Sequence, residues 1–248
     1  MDPRRLACLD AMGFPAWTRR ADRVLPGAPE TESQPADLGD PALPRPVAPG
    51  MEPAVGGLDW AALEARVSGC TLCALHAGRT RTVFGVGNRS ADLLVVGEAP
   101  GAEEDRRGEP FVGRAGKLLD AMLAALRYDR FQVYIANVVK CRPPENRDPH
   151  AEEAASCAPY LDRQIELLQP RVILAVGRIA AQRLLADDAP VGRLRGKVHR
   201  YGTAGIPLVV TWHPAYLLRR PGAKAEAWRD LVLAAGFLAS QGKREQGA

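Results

Sequence analysis

The chain has 248 residues, of which 46% are hydrophobic and 25% are charged, as is ordinary for a globular protein. Its net charge of +4 permits a polyanionic partner without requiring one. No apolar run is long enough for a signal peptide or a membrane span, so the sequence predicts a cytoplasmic protein with no membrane contact.

The first 57 residues divide into two pieces. Residues 1–25 are predicted to form a short element, one helix that docks on the body or on a partner. Its bulky apolar positions are Leu6, Leu9, Met12, Phe14 and Trp17. Residues 26–57 hold 8 Pro and 5 Gly among 32 positions, a composition typical of a disordered linker.

The body is predicted to span residues 58–240, and residues 241–248 form a polar tail. Four apolar runs predict buried strands at Asp92–Gly97, Gln132–Lys140, Arg171–Gly177 and Ile206–Trp212. Amphipathic helices are predicted from Trp60 onward and at Arg114–Arg127, Ala151–Gln169 and Lys224–Ala239. Strands that alternate with helices imply an α/β fold with a mainly parallel sheet covered on both faces.

Four motifs follow these strands. GEAPG comes after the first strand, Asn137 and Cys141 end the second, Gly177 closes the third and WHPAYLLRR follows the fourth. Ligands of parallel sheets bind outside the carboxyl ends of the strands. We therefore expect these motifs to meet at one edge of the sheet.

The cysteines suggest a metal site. Cys70 and Cys73 form a C-x2-C pair, and 15 residues separate Cys141 from Cys157. In a reducing compartment, cysteines argue for metal binding, catalysis or buried free thiols rather than disulfides. Four thiolates suit zinc or an iron–sulfur cluster, and the spacing does not decide between them. Cys8 is interpreted as a free thiol.

The loop after the first strand, GEAPGAEEDRRG, matches neither common phosphate-binding glycine pattern. Its carboxylates, which would repel a phosphate, are Glu98, Glu103, Glu104 and Asp105. An aromatic ring at Phe111, an amide at Asn137 and an imidazole at His213 instead suit a planar neutral ligand such as a nucleobase. The carboxylates would then face a sugar carbon that becomes positive as a glycosidic bond breaks. The alternative is a tight turn with solvated carboxylates and a structural histidine.

Three segments, together with the four paired cysteines, carry a family resemblance: VVGEAPGAEEDRRGEPFVGRAGKLLD, YIANVVKCRPPENRDP and TWHPAYLLRRP. They closely resemble the family 4, iron–sulfur uracil-DNA glycosylases over about residues 58–240. The resemblance implies a three-layer αβα sandwich and an enzyme that releases uracil from DNA. It also implies a structural [4Fe–4S] cluster with ligands Cys70, Cys73, Cys141 and Cys157. No amine nucleophile is evident in the motifs, so we expect a monofunctional enzyme that leaves an abasic site.

The resemblance assigns roles position by position. Phe111 corresponds to the ring that stacks on the flipped uracil, Asn137 to the amide that reads its edge, and His213 to the histidine that hydrogen-bonds uracil O2. Leu217 corresponds to the wedge that fills the gap left in the DNA by the extruded base. Arg219 and Arg220 are the expected contacts to nearby phosphates. The alternative for the wedge is that Leu217 and its neighbour Leu218 are core residues.

The sequence departs from the wider superfamily at the residue that orients the attacking water. Ala99 stands where other superfamily members carry the aspartate that orients this water, a difference that family 4 shares. Glu104 is therefore the candidate for directing the water or for blocking the 5-methyl group of thymine. Glu98 and Ala99 are expected to act through their backbone groups.

Two alternatives stay open. One is a glycosylase of the same superfamily with another lesion range or with covalent trapping on DNA, for which His199 is a candidate nucleophile; we interpret His199 as DNA-contacting or structural. The other is a non-catalytic iron–sulfur or zinc module that binds nucleic acid. We expect a nucleoid-associated monomer whose partners are uracil-containing DNA and, through residues 1–25, a replication or repair protein.

Overall fold

A computed structural model of the protein describes residues 55–245. The predictions for residues 1–25, for Cys8 and for the linker up to residue 54 fall outside this range. Val55 begins the described part and is buried, and its carbonyl accepts the N–H of Leu58 at 3.2 Å.

The described residues form one six-stranded sheet in the order β1-β3-β2-β4-β6-β5. Its strands are β1 Val86–Gly87, β2 Leu93–Gly97, β3 Tyr134–Asn137, β4 Val172–Val176, β5 Val198–Tyr201 and β6 Ile206–Thr211. The four inner strands are parallel, and both edge strands run antiparallel to their neighbours. The mainly parallel sheet is thus confirmed, and the edge strands β1 and β5 are additions to the predicted set.

Eight α-helices occur between residues 55 and 245. They are α1 Trp60–Ser68, α2 Ala102–Arg107, α3 Arg114–Ala125, α4 Ala151–Leu168, α5 Arg178–Leu185, α6 Val191–Leu194, α7 Pro214–Arg219 and α8 Lys224–Glu245. Short 3-10 turns lie at Ala74–Ala77, Pro144–Asn146 and Pro221–Ala223. None of these helices combines the length and the apolar composition that crossing a membrane would need.

The sheet separates two hydrophobic cores, because successive side chains of a strand point to opposite faces. In β2, Leu94 and Val96 pack in the core formed with α1, α4, α5 and α6. Leu93 and Val95 pack on the other face, in the core formed with α3, α7 and α8. Helices on both faces confirm the three-layer αβα sandwich, and burial on both faces explains why the strands read as continuous apolar runs.

A buried polar group ties β6 to α8. Asp230 of α8 is fully buried and accepts the hydroxyl of Thr211, at the end of β6, at 2.9 Å. It also accepts Nε and Nη2 of Arg195, each at 3.0 Å, and the backbone N–H of Gly196 at 3.1 Å. These contacts fix the end of β6 two residues before His213.

Candidate active site

The carboxyl ends of the parallel strands open into one cleft of about 410 Å³. The structure brings together in its lining all six residues predicted to act in catalysis or base binding: Glu98, Ala99, Glu104, Phe111, Asn137 and His213. Arg219, one of the predicted phosphate ligands, also lines the cleft.

Asn137 presents an unsatisfied acceptor. It is the last residue of β3, lies opposite Gly97 of β2 and is 1% exposed. Its Oδ1 is the one buried side-chain polar atom without a hydrogen-bond partner among the described residues. Leaving a buried acceptor unpaired costs about 1–3 kcal/mol. The cleft therefore favours a ligand that brings a donor to this atom.

Gly97 allows the amide and the aromatic ring to meet. A Cβ atom at this position would lie 2.5 Å from Asn137 Oδ1 and 2.5 Å from Phe111 Cζ. Because both distances are far below van der Waals contact, any side chain here would displace one of the two groups. The first glycine of GEAPG thus lets the Asn137 amide and the Phe111 ring lie close to the backbone of β2.

Phe111 adopts a strained backbone conformation. Its φ of +54° lies in the left-handed region, which is rare for a bulky residue and typical of functional sites. A Cβ at Gly116 would come within 1.8 Å of the Phe111 carbonyl oxygen, so only glycine admits this turn. Arg130 also holds the turn, since Nη1 donates to the Phe111 carbonyl at 3.2 Å and to Asp120 at 3.1 Å. The sequence analysis missed Arg130, which no motif marks.

Glu104 anchors the same segment. Its Oε1 accepts the backbone N–H groups of Val112 at 3.0 Å and Gly113 at 2.9 Å, and its Oε2 accepts that of Gly101 at 3.1 Å. A carboxylate has about four acceptor positions, so one is left to face the cleft. The orientation of this carboxylate is fixed by backbone groups alone.

The other two acids of the loop point elsewhere. Asp105 is buried and accepts the backbone N–H of Thr80 at 2.9 Å, and Glu103 pairs on the surface with Arg106. Of the four carboxylates in the loop, only Glu98 and Glu104 line the cleft.

Glu98 is set for proton exchange near neutral pH. Burial, and secondly the nearby carboxylate of Asp148, raise its pKa to about 7, while Arg178 opposes the shift. Arg178 in turn donates from Nη2 to Asp148 Oδ2 at 2.5 Å. The sequence analysis gave Asp148 and Arg178 no role, although Asp148 lies in the quoted segment ENRDP.

His213 is held as a neutral donor. It precedes α7, and its Nδ1 accepts the backbone N–H of Ala215 at 3.1 Å, so the ring proton resides on Nε2. Burial, and secondly the charge of Arg219, lower its pKa to about 4. Its ring centroid lies 5.7 Å from that of Phe111. The imidazole therefore offers an uncharged N–H beside the aromatic ring at pH 7.

The predicted wedge does not lie on the surface. Leu217 is 1% exposed and packs in the core with α3 and α8, whereas Leu218 is 39% exposed. The assignment of Leu217 is therefore corrected, because consecutive helical residues point about 100° apart and only Leu218 faces outward. Arg219 and Arg220 are exposed, and neither forms an ion pair with any described residue.

The four paired cysteines surround a separate small cavity between α1, the turn Ala74–Ala77 and α4: Cys70, Cys73, Cys141 and Cys157. None of the four forms a disulfide. Arg79 Nη1 donates to Cys141 Sγ at 3.2 Å, and the backbone N–H of Lys140 donates to Cys157 Sγ at 3.3 Å. Such donors stabilise thiolates. Within the described residues, no three His, Cys, Asp or Glu side chains are grouped closely enough for a single metal ion.

His199 has a structural contact. It lies on the edge strand β5, and its Nε2 is 2.7 Å from the carbonyl oxygen of Leu194. It is absent from the lining of the cleft.

Comparisons with known proteins agree with this geometry. Residues 84–233 match the family model of the uracil DNA glycosylase superfamily. The chain is similar to the type-4 uracil-DNA glycosylase of Archaeoglobus fulgidus, with 46% identity over 66% of this chain and 85% of the relative. The corresponding enzymes of Pyrobaculum aerophilum and Thermotoga maritima are each 42% identical, over 71% of this chain and 93% of the relative.

Proposed function

The chain belongs to the type-4 branch of the uracil-DNA glycosylase superfamily, and we propose that it hydrolyses the N-glycosidic bond of deoxyuridine in DNA. The products are free uracil and an abasic site. The observation that carries this proposal is the buried, unpartnered Oδ1 of Asn137 in a cleft that also presents Phe111 and His213.

Asn137 is assigned to reading the base edge. Uracil offers an N3–H donor for Oδ1 and an O4 acceptor for the amide N–H of the same side chain. Cytosine instead has an acceptor at N3, which would face the acceptor Oδ1, and an amino donor, which would face the amide N–H. Sites built to hydrogen-bond one ligand reject an analogue that leaves their buried groups unpaired, by about 10⁴–10⁵-fold in the strongest cases.

Phe111 is assigned to stacking on the extruded base. Flipping a base out of the duplex costs a few kcal/mol, and stacking on an aromatic ring offsets about 1–3 kcal/mol of it. Gly116 and Arg130 fix the turn that carries the ring. A ring held in place before the base arrives loses less conformational entropy on binding.

His213 is assigned to the leaving group. As the bond from C1′ to N1 lengthens, negative charge collects on uracil O2, and the Nε2–H of the neutral imidazole donates to it. Because the pKa of His213 is about 4, the ring is uncharged at neutral pH, and its single N–H stays on Nε2 while Nδ1 accepts the backbone N–H of Ala215. Removing a donor of this kind lowers a rate by about 10²–10³.

Glu98 and Glu104 are assigned to the water. The fixed Glu104 carboxylate has one acceptor position left with which to orient a water molecule, and it also forms the wall of the cleft. The water oxygen bonds to C1′, the electron pair of the C1′–N1 bond leaves with uracil, and Glu98 accepts the proton of the water. A base with a pKa of about 7 is well matched to this transfer at neutral pH. Ala99 also lines the cleft.

The DNA contacts are assigned to α7 and the residue after it. Leu218 is the exposed apolar residue suited to fill the vacated base stack, in place of Leu217. Arg219 and Arg220 are exposed cations suited to the flanking phosphates.

The cysteines fit a [4Fe–4S] cluster. Cys70, Cys73, Cys141 and Cys157 line one cavity and receive hydrogen bonds at two sulfurs. Four cysteine thiolates are the usual ligand set of such a cluster. When bound, the cluster would cross-link the segment that follows α1, the loop after β3 and α4. Anaerobically purified protein should carry about four iron atoms per chain with broad visible absorbance; stoichiometric zinc after iron-replete growth would contradict this assignment.

The function is tested with labelled oligonucleotides. A strand with one uracil should be cleaved only when alkali follows the enzyme, and the matched strand with thymine should stay intact. No alkali-labile product would refute the proposal. Cleavage without alkali would refute monofunctional action. A protein–DNA adduct that is stable on a denaturing gel would support the alternative of covalent trapping.

Two further predictions concern the cell. An enzyme that acts on uracil in DNA would work at the nucleoid in the cytoplasm. A replication or repair partner bound through residues 1–25 stays a prediction, since those residues lie outside the described range, and so does the monomeric state.

A further inference from the structure

A lysine is buried between the base-reading strand and the cysteines. Lys140 lies three residues after Asn137 and one before Cys141, and it is 1% exposed. Its Nζ donates to the carbonyl oxygen of Asn137 at 2.9 Å and to Oε1 of Gln164 at 2.6 Å. No ion pair neutralises it among the described residues.

Gln164 is held in one orientation. It is fully buried on α4, and its Nε2 donates to the carbonyl of Phe84 at 2.9 Å and to the hydroxyl of Tyr134 at 3.3 Å. Since its amide N–H groups meet these two acceptors, its oxygen must face Lys140. Both hydrogen-bonding ends of Gln164 are thereby satisfied.

Core packing alone does not explain this lysine. Burying an ammonium group is expensive, and a well-packed apolar side chain of similar volume is often equally or more stabilising at such a place. What an apolar side chain would lose are the hydrogen bonds from Nζ to the Asn137 carbonyl and to Gln164 Oε1. The backbone N–H of Lys140 also donates to Cys157 Sγ at 3.3 Å. One residue therefore contacts both the base-reading strand end and the cysteine site.

We infer that Lys140 and Gln164 form a positioning relay, which fixes the backbone of Asn137 so that its side-chain amide meets the uracil edge. The same relay links this amide to the cysteine site. The inference rests on the proposed function. Neither residue lines the cleft or touches the base. The relay acts through Asn137, whose carbonyl accepts the ammonium while its Oδ1 stays free for the base.

The first test separates base reading from general folding. In cluster-loaded protein, Lys140→Met should lower kcat/KM on uracil DNA by about 10–100-fold, the effect of a lost charged hydrogen bond. Affinity for DNA with an abasic site should stay within about threefold of wild type, because that ligand has no base for Asn137 to read. Gln164→Leu should show the same selective loss to a smaller degree, and it carries the test if Lys140→Met does not fold.

The matched control is Leu161→Ala. Leu161 is fully buried on α4 and packs in the same core outside the relay. This variant should lose stability while keeping the wild-type ratio of uracil excision to abasic-site affinity.

The second readout does not depend on activity. Coupling between two sites is reciprocal, so an occupied base pocket should slow loss of the visible absorbance of the cluster to an iron chelator. Abasic DNA with added uracil should slow this loss in wild type and not in Lys140→Met. The relay is refuted if Lys140→Met and Gln164→Leu excise uracil at the wild-type kcat/KM. It is also refuted if kcat/KM on uracil DNA and affinity for abasic DNA fall by the same factor, or if the ligand still slows cluster loss in Lys140→Met. Absence of excision by wild type would instead refute the proposed function.

Discussion

The carboxylate of Glu104 accepts the backbone N–H of Val112, the residue that follows Phe111, at 3.0 Å. An acidic side chain of the first loop thus fixes the position of the aromatic ring that lines the cleft. The same carboxylate accepts two further backbone N–H groups, so its place in the cleft is set before any ligand binds.

Glu104→Gln should lower kcat/KM for uracil excision by about 10–100-fold. The glutamine amide donates where Oε1 or Oε2 accepts, so at least one backbone N–H would face another donor. The measurement is steady-state excision on a uracil oligonucleotide. Glu103→Gln, which removes only the exposed pair with Arg106, is the control and should excise normally. Equal activity of the two variants would contradict the anchoring role of Glu104.

Gly97→Ala should reduce uracil excision by at least about 10²-fold, the loss expected when reacting groups are displaced by about 1 Å. The new Cβ would lie 2.5 Å from both Asn137 Oδ1 and Phe111 Cζ. Gly236→Ala on α8, where a Cβ meets nothing within 4 Å, is the control and should leave excision unchanged. Wild-type activity of Gly97→Ala in single-turnover excision would show that the amide and the ring need not be this close.

The pH dependence of kcat/KM should show an acid limb near pH 7. If Glu98 accepts the proton of the water, it must be ionised, and its pKa is about 7. Asp148→Asn removes a negative charge that raises this pKa, so the limb should move to lower pH. Arg178→Gln removes a positive charge that lowers it, so the limb should move to higher pH. A limb that both variants leave in place would exclude Glu98 as the titrating group.

The stability of the fold should depend strongly on Asp230. Asp230→Asn leaves Arg195 without its buried carboxylate, and breaking such a pair costs about 3–5 kcal/mol. The free energy of unfolding in urea measures this loss. Asp92→Asn removes a carboxylate that is 58% exposed and pairs with Arg171, and it should cost no more than about 1 kcal/mol. Similar losses in both variants would contradict the structural role of the buried pair.

The core of the fold was predictable because its signals are strong and local. The four inner strands are apolar on both faces, and α3 and α4 carry one apolar stripe. The edge strands were not predictable in this way: β1 has only two residues, and β5 lies in a basic segment with partly exposed side chains. Their pairing comes from neighbours distant in sequence, which no local pattern reports.

The residues of the site likewise divide into those that the sequence marks and those that only the structure reveals. Asn137 and His213 are polar residues at or just after strand ends, and Phe111 lies in a glycine-containing loop between two helices. The sequence marks these three residues, and the structure brings them to one cleft. The roles of Asp148, Arg178 and Lys140 come from contacts that form only in the folded chain, and a surface charge and a buried one read alike in sequence. Leu217 and Leu218 are indistinguishable by type, and only the rotation of α7 separates the buried one from the exposed one.

The central claim is that Asn137 reads the base. Single-turnover excision by wild type and by Asn137→Asp, on strands with uracil or cytosine at the same position, tests it most directly. We expect wild type to release uracil alone. Asn137→Asp should lose uracil excision, because an acceptor replaces the amide donor opposite O4, and should gain release of cytosine, whose amino group donates there. Unchanged activity on uracil with none on cytosine would contradict the account.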